Sequence, residues 1–376
     1  METKIRAYAM EKPGVMSQVW VPMPEPGEHE VRLKLLVCGT CASEYLPWLN
    51  CEEPGRIMGH EGVGIVDKVG ERVTKLKVGD RVTGMLHQCF AEYTIGNENE
   101  LVKVPDALSD EEGVGEPLAM LMSGVGQTPL ELGQTFAIIG TGYMGLGFLQ
   151  LMRAKGAGKI IAIDVRPEGL ANAKRFGADE LLTTDAVPPE YIVDVWDDGI
   201  FDRGIPVVAE VTGNEAALQL AGDMTAVHGH LSIAGYHQGG MRSINMALWN
   251  WKAIHIANAH ERRDWRCAGL IQNALTLIQK GFLNTKDLMT NVYGRLYQGR
   301  DPHQQRLTEY GRIQPINERR SRHMRFTDGL WMHRSGLSIH NTHQMWEYRI
   351  EQDRIKAFVL CHCVEEADDY TAGTAL

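Results

Sequence analysis

No stretch of this chain stays apolar for the length of a membrane-spanning helix, and its opening residues, METKIRAYAMEKPG, hold no hydrophobic segment of the kind that marks a secretory leader. Both absences point to a cytoplasmic protein without a membrane partner. Basic charge is scarce as well. The 38 Lys and Arg are outnumbered by 48 Asp and Glu, and a formal net charge of −10 gives no support to a nucleic-acid partner. Cysteine is sparse and odd in number. The seven residues are scattered without the spacing of a disulfide framework, which fits a reducing compartment. Internal repeats are absent.

What is present is a chain of 376 residues, 44% hydrophobic, long enough for two domains with separate cores. The first third reads as a small, Gly-rich β barrel. Lys4–Met10 and Glu30–Val37 are strands, Val78–Val82 is a turn and strand, and Leu101–Pro105 is a further short strand. Glu111–Gly126 reads as a helix. From Phe136 the pattern becomes alternating βα units, with strands at Phe136–Gly140, Ile160–Asp164, Pro206–Val211, His230–Ala234 and Ile254–Ala257. That succession predicts a doubly wound parallel sheet. A helix over Cys267–Gln279 ends at Gly281, a residue suited to a C′ position.

The stretch that organises the rest is Thr135–Asp164. An apolar run leads into Gly140-Thr141-Gly142-Tyr143-Met144-Gly145, then a helix-like run, a second apolar run and Asp164. In such a GxGxxG the first glycine permits a tight turn and the second lets backbone approach a pyrophosphate. The third lets helix and strand pack closely. The helix N-terminus offers free N–H groups to the phosphates. Asp164 stands where an acid accepts from the ribose hydroxyls, which favours NAD over NADP, while Arg166 just beyond it is placed to meet a 2′-phosphate. Glu210-Val211-Thr212-Gly213 ends another strand on a small-residue turn, at the edge where the dinucleotide would lie.

A second constellation lies upstream. Cysteine, histidine and carboxylate form a zinc ligand set, and Cys41, His60 and Glu61 on two loops supply one of each. Glu116 arrives from the helix leading to the nucleotide domain. Taken singly, a Cys is more often buried apolar filler and a loop His is more often solvated. Cys38 competes with Cys41, but its place on the run Leu35–Val37 assigns it to the core. Trp48, Trp249 and Trp251 could line the cleft or pack in the core.

The motifs GTCASE, GHEGVGIV, VGDRV, AEY, GEPLA and GTGYMG, in that order, resemble the zinc-dependent medium-chain dehydrogenase/reductase family over about residues 4–293. Within it the chain is most similar to the sorbitol dehydrogenase-like polyol and threonine dehydrogenases, because Glu116 stands where alcohol dehydrogenases place a cysteine ligand. The resemblance implies an α/β protein: a GroES-like β-rich catalytic domain over 1–127, a Rossmann NAD-binding domain over 128–258 and a return to the catalytic domain over 259–294. It implies one catalytic Zn2+ per chain on Cys41, His60 and Glu61, with Glu116 at a water-linked fourth position. Ser43 matches the hydroxyl that relays the substrate proton. Glu44 replaces the usual Asp that orients the zinc histidine. Gly140, Gly142, Tyr143, Met144, Gly145, Asp164 and Thr212 match the cofactor site. The implied reaction is hydride transfer from a secondary alcohol to NAD by a homodimer or homotetramer. The lobe of four cysteines that holds a structural zinc in many relatives is missing, since only Cys89 follows Asp80 there. The competing readings are a zinc-free NAD(P)H reductase on the same fold and a nucleotide-binding protein with impaired turnover.

The last part departs from this pattern. Residues 1–294 hold 13 Arg and 13 Lys, whereas residues 295–376 hold 11 Arg and 1 Lys, together with six of the 14 His. Family members continue there into an amphipathic helix and a final strand that close the catalytic domain. A frameshift near Gly294 and an appended segment are the two possible origins of this atypical tail, residues 295–376; a tail foreign to the fold, frameshifted or poorly ordered, would leave nucleotide binding intact while weakening turnover. The run Cys361-His362-Cys363 lacks the spacing of a standard metal site.

Overall fold

The computed structural model describes residues 3–289 in full. Beyond them it describes the backbone of Tyr293–Gly294, Met324–Thr327, Leu330–His333, Trp346–Glu351 and Arg354–Phe358. The run Cys361-His362-Cys363 lies outside the described residues.

The N-terminal region is β-rich. Strands β1 (Lys4–Lys12) and β2 (Val15–Pro22) form a hairpin. β3 (Glu30–Gly39), β4 (Glu61–Val69), β5 (Arg81–Gly84), β6 (Tyr93–Asn97) and β7 (Leu101–Lys103) form an antiparallel sheet around β3. The first seven residues of β3, EVRLKLL, alternate strictly between part-exposed and buried, as a half-buried strand requires. Val31, Leu33 and Leu35 face a core with Tyr8, Met10, Met58, Val66 and Phe90. The backbone of Trp346–Glu351 pairs antiparallel with the end of β3, Tyr348 opposite Cys38, and so extends this sheet.

Between β3 and β4 lies one helical turn, α1 (Tyr45–Asn50). Helix α2 (Glu116–Gln127) then carries the chain out of the barrel. It starts five residues later than the sequence reading has it. Gly115 is its cap and Pro117 falls in the first turn, the one place where a helix tolerates proline without losing a hydrogen bond.

The second region is the expected parallel sheet. It comprises β8 (Thr135–Ile139), α3 (Tyr143–Lys155), β9 (Lys159–Ile163), α4 (Pro167–Arg175), β10 (Glu180–Leu182), β11 (Ile205–Glu210), α5 (Glu215–Met224), β12 (Thr225–Ile233), α6 (Met246–Trp251) and β13 (His255–Asn258). The strand order is β10-β9-β8-β11-β12-β13. β10 is one strand more than the sequence reading contains; its three residues are all partly exposed and carry no alternation. The chain winds outward from β8 and then restarts at β11 beside it, with Glu210 level with Ile139. Ligands of open α/β sheets bind at such a reversal, outside the carboxyl ends of the strands. No helix among the described residues is long and apolar enough to cross a membrane.

Helix α7 (Asp264–Gln279) returns to pack on α2, with Ile271, Ala274, Leu275 and Ile278 in one core with Leu118, Leu121 and Val125. The turn into α7 is tied by Glu261. Its carboxylate accepts from the Arg262 and Arg263 backbone N–H groups, both at 3.0 Å, and from the Arg263 guanidinium at 2.8 and 2.9 Å. These bonds, the Arg263 side chain foremost, pull Glu261 down to about 2. A carboxylate held below its unfolded value stabilises the fold above that value, and the contribution is lost as pH falls toward the folded one. Glu261→Gln should therefore cost about 1–2 kcal/mol at neutral pH, discounted for nearby solvent. In acid unfolding curves the gap from the parent should close between pH 4.5 and 2. A gap unchanged across that range would contradict this account.

Candidate active site

The register of β3 on β4 assembles the first cluster. Gly39 lies opposite Glu61 and Cys38 opposite Gly62, so the chain leaving β3 passes directly over the chain entering β4. A Cβ at Gly39 would fall 2.2 Å from Glu61 Oε2, so any larger residue there would displace that carboxylate. As a result Cys41 Sγ, a ring nitrogen of His60 and a carboxylate oxygen of Glu61 all lie within 4.8 Å of one another. These three donors could together hold one metal ion.

The electrostatics of this cluster call for a cation. Glu61 is 2% exposed and its Oε2 has no hydrogen-bond partner. Burial, and then the charge of Glu116, push Glu61 up to about 8. An unpartnered carboxylate oxygen in a buried site is costly, and a divalent ion held with sulfur and nitrogen donors is the partner its chemistry suits. Glu116 stands in the first turn of α2, partly exposed, outside the triad but within its electrostatic reach.

Glu44 sits in one 3-10 turn, Ala42–Glu44, and is buried. Its Oε1 accepts from Gly59 N–H at 2.7 Å and lies 3.0 Å from His60 Nδ1, and its Oε2 accepts from Cys41 N–H at 3.3 Å. One carboxylate thus ties both metal-site loops. Burial alone would lower the His60 pKa, but the Glu44 charge and the bonds from Cys41 and Glu44 hold it well above its ordinary value. Fixing Nδ1 leaves Nε2 as the ligand nitrogen. Ser43 is partly exposed in the same turn. Cys38 is buried and its thiol donates to the Gly39 carbonyl at 3.1 Å, so it belongs to the core.

The second cluster is the turn after β8. Gly140 has φ +98, and its missing side chain makes room for Thr212, whose Cγ2 would meet a Cβ at 2.6 Å. The turns after β8 and β11 therefore touch at the point where the sheet reverses. Asp164 is buried and already engaged. It accepts from Thr141 N–H and Oγ1 at 2.8 and 2.7 Å, and from Arg166 N–H, Nε and a terminal guanidinium nitrogen at 2.9, 2.9 and 2.7 Å. Burial raises its pKa, but Arg166 and Thr141 outweigh that and hold it below the usual carboxylate range. The free ribose acceptor of the sequence reading is thus one half of an ion pair. Tyr143 and Met144 occupy the first turn of α3. The Tyr143 ring is buried, and burial, followed by the charges of Glu61 and Glu116, raises its phenol well above the ordinary value. Its ring belongs to the core. Trp249 is also core, 1% exposed, whereas Trp251 is 64% exposed; Trp48 packs on the barrel core.

Three polar residues near these clusters carry no signal in the sequence. His237, Gln238 and Arg242 follow β12 on an irregular segment without a motif, and only Glu210, in the strand-ending EVTG, stood in a stretch that could have pointed to them.

Comparison with known proteins gives two matching family models: "Zinc-binding dehydrogenase" over residues 144–277 and "Alcohol dehydrogenase GroES-like domain" over residues 27–106. The chain is 30% identical over 317 residues to a sorbitol dehydrogenase of Ovis aries, covering 75% of this chain and 87% of the relative. It is 29% identical over 313 residues to a sorbitol dehydrogenase of Bacillus subtilis (strain 168), covering 73% and 85%. A solved structure from Sinorhizobium meliloti 1021 with NADP bound superposes with a TM-score of 0.65 at 25% identity, covering 75% of this chain and 90% of that one.

Proposed function

Because this chain belongs to the zinc-dependent medium-chain dehydrogenase/reductase family, we propose that it oxidises a secondary alcohol of a polyol, sugar alcohol or amino alcohol, with NAD as acceptor and one zinc per chain. The observation that carries the metal is the buried, unpartnered Glu61 Oε2 in a cluster with Cys41 and His60. When bound, zinc supplies a Lewis acid that lowers the pKa of the substrate hydroxyl, and the nicotinamide supplies the hydride acceptor.

The protein's own part is position and proton handling. Cys41, His60 and Glu61 would hold the metal, and Glu44, engaged with His60 Nδ1, would leave Nε2 to bind it. Ser43 supplies a hydroxyl beside the ligand Cys41, where the proton of the substrate hydroxyl begins its way to solvent. Glu116, in the first turn of α2 and within electrostatic reach of Glu61, would stand at the water-linked fourth position of the metal. The N–H groups at the start of α3, above Gly140 and Gly142, would hold the pyrophosphate.

The reading is tested by metal analysis beside a screen of polyols and amino alcohols with NAD and NADP. It expects about one zinc per chain and reduction of the cofactor by at least one alcohol. Turnover by a protein free of zinc would favour the zinc-free reductase instead. Zinc and NAD bound without oxidation of any alcohol would favour impaired turnover.

Cofactor preference turns on one ion pair. With Asp164 intact, its charge opposes a 2′-phosphate and Arg166 is held down, so NAD should be used better than NADP. Asp164→Ala removes the anion and releases the guanidinium, which suits phosphate bidentately. The ratio of kcat/KM for NAD over NADP should then fall by roughly tenfold or more, about 1.4 kcal/mol. Equal or better use of NADP by the unaltered protein would make Arg166 the dominant reader and refute the preference.

A further inference from the structure

A chain of hydrogen bonds joins the nucleotide turn to the metal-site turn. It begins at Glu210, whose side chain is wholly buried at the end of β11. Glu210 Oε1 accepts from the N–H and hydroxyl of Thr212 and from Gly213 N–H at 2.9 Å, which fixes the turn beside Gly140. Glu210 Oε2 lies 2.9 Å from His237 Nε2, and Arg242 Nε donates to His237 Nδ1 at 3.2 Å. Guanidinium can only donate, so Nδ1 is the acceptor and Nε2 carries the proton given to Glu210. Arg242 also donates to the Gln238 carbonyl, and Gln238 Nε2 donates to the Ala42 carbonyl at 2.7 Å. Ala42 sits between Cys41 and Ser43.

The two ends of this chain are rigidly seated. A Cβ on Gly235 would fall 2.2 Å from Gly213 N, and one on Gly213 would fall 2.6 Å from the Tyr236 carbonyl, so the turns after β11 and β12 interlock through backbone. The Ala42 turn is held from its other side by Glu44, which binds Cys41 N–H and His60. The path from the Thr212–Gly213 turn to Ala42 thus runs through Gln238, which is partly exposed.

We propose that Gln238 is a positioning residue: it transmits the seating of the nucleotide at the Thr212–Gly213 turn to the Cys41–Ser43 turn. This deepens the dehydrogenase reading and rests on it for the cofactor's place. The bond needs a donor at Gln238, since the Ala42 carbonyl can only accept. Gln238→Glu keeps the size but opposes acceptor to acceptor, while Gln238→Leu removes the group. If packing were the role, the glutamate variant would behave as the parent.

The test uses the full-length, zinc-loaded protein. Hydrogen exchange is followed in the peptide spanning Cys41–Glu44, with and without saturating NAD. In the parent, NAD should slow exchange there by roughly fivefold or more; in both variants the slowing should fall below about twofold, as a severed local opening unit behaves. The Kd for NAD should stay within about threefold, because no pyrophosphate contact is touched. In kinetics the variants should lose roughly tenfold in kcat with a small change in KM for NAD, as expected when positioning rather than cofactor binding is lost. Equal protection in parent and variants, parent-like behaviour of Gln238→Glu, or no protection by NAD in the parent would each overturn the proposal. A parent that oxidises no alcohol would remove the dehydrogenase reading, and the exchange arm would still decide the coupling.

Discussion

Cys41→Ser is expected to leave the purified protein with a small fraction of the roughly one zinc ion per chain carried by the parent. Serine offers a hard, protonated oxygen in place of a thiolate, and the remaining His60 and Glu61 form too poor a set to retain the ion. Alcohol oxidation should fall on the order of 10³-fold or more, about 4 kcal/mol of barrier, because polarisation of the substrate oxygen is lost. The comparison is Glu44→Gln. It keeps the ligands but weakens the bond that orients His60, and losses of roughly 10–100-fold are usual for such partners. Metal analysis and initial rates on both variants check this order. Zinc unchanged by Cys41→Ser, or near two per chain in the parent, would sink the assignment of the site.

Gly145→Ala is the second change expected to act strongly, here on stability and nucleotide binding together. A Cβ at Gly145 would lie 1.9 Å from the Gly140 carbonyl oxygen and 2.9 Å from its carbon. Backbone at the heart of the turn has nowhere to go, so α3 must lift from β8. We expect a loss of about 3 kcal/mol or more in denaturant unfolding, in the upper range for one methyl group. The Kd for NAD should rise at least roughly tenfold, since the lifted helix end no longer meets the pyrophosphate. Gly126→Ala is the control: nothing lies within 4 Å of a Cβ there, in the last turn of α2. It should be neutral or stabilising by up to about 1 kcal/mol. Normal NAD affinity and stability in Gly145→Ala would refute the close-packing account of that glycine.

Much of this fold was legible because its determinants are local. The GxGxxG between two apolar runs specifies a strand, a turn and a helix whatever surrounds them, and β8, α3 and β9 lie where that pattern puts them. The metal cluster was legible as residue types, since Cys, His and Glu on two loops make a recognisable ligand set. What brings them together is the pairing of Gly39 with Glu61, a long-range register invisible in either loop alone. The Asp164–Arg166 pair was half legible. Both residues were in view, but whether the arginine faces the acid or a ligand depends on a side-chain rotamer. Gln238 was not legible at all, because its only distinction is the carbonyl it meets 196 residues away. The start of α2 shifted because helical composition extends upstream of the glycine and proline that set the boundary.

One further consequence follows from where the chain enters and leaves the parallel sheet. Gln127 Nε2 donates to the His260 carbonyl at 3.3 Å across a separation of 133 residues. The sheet domain is therefore a closed insert with adjoining ends. Bringing the two barrel segments together across an unstructured loop of that length would cost about 4 kcal/mol in chain entropy, beyond a constant. A folded insert has already met that cost, and it presents α2 and α7 to each other at contact distance. Seating of α7 on α2 is thus linked to folding of the sheet between them, so a destabilising lesion within the sheet is expected to weaken the α2–α7 packing as well.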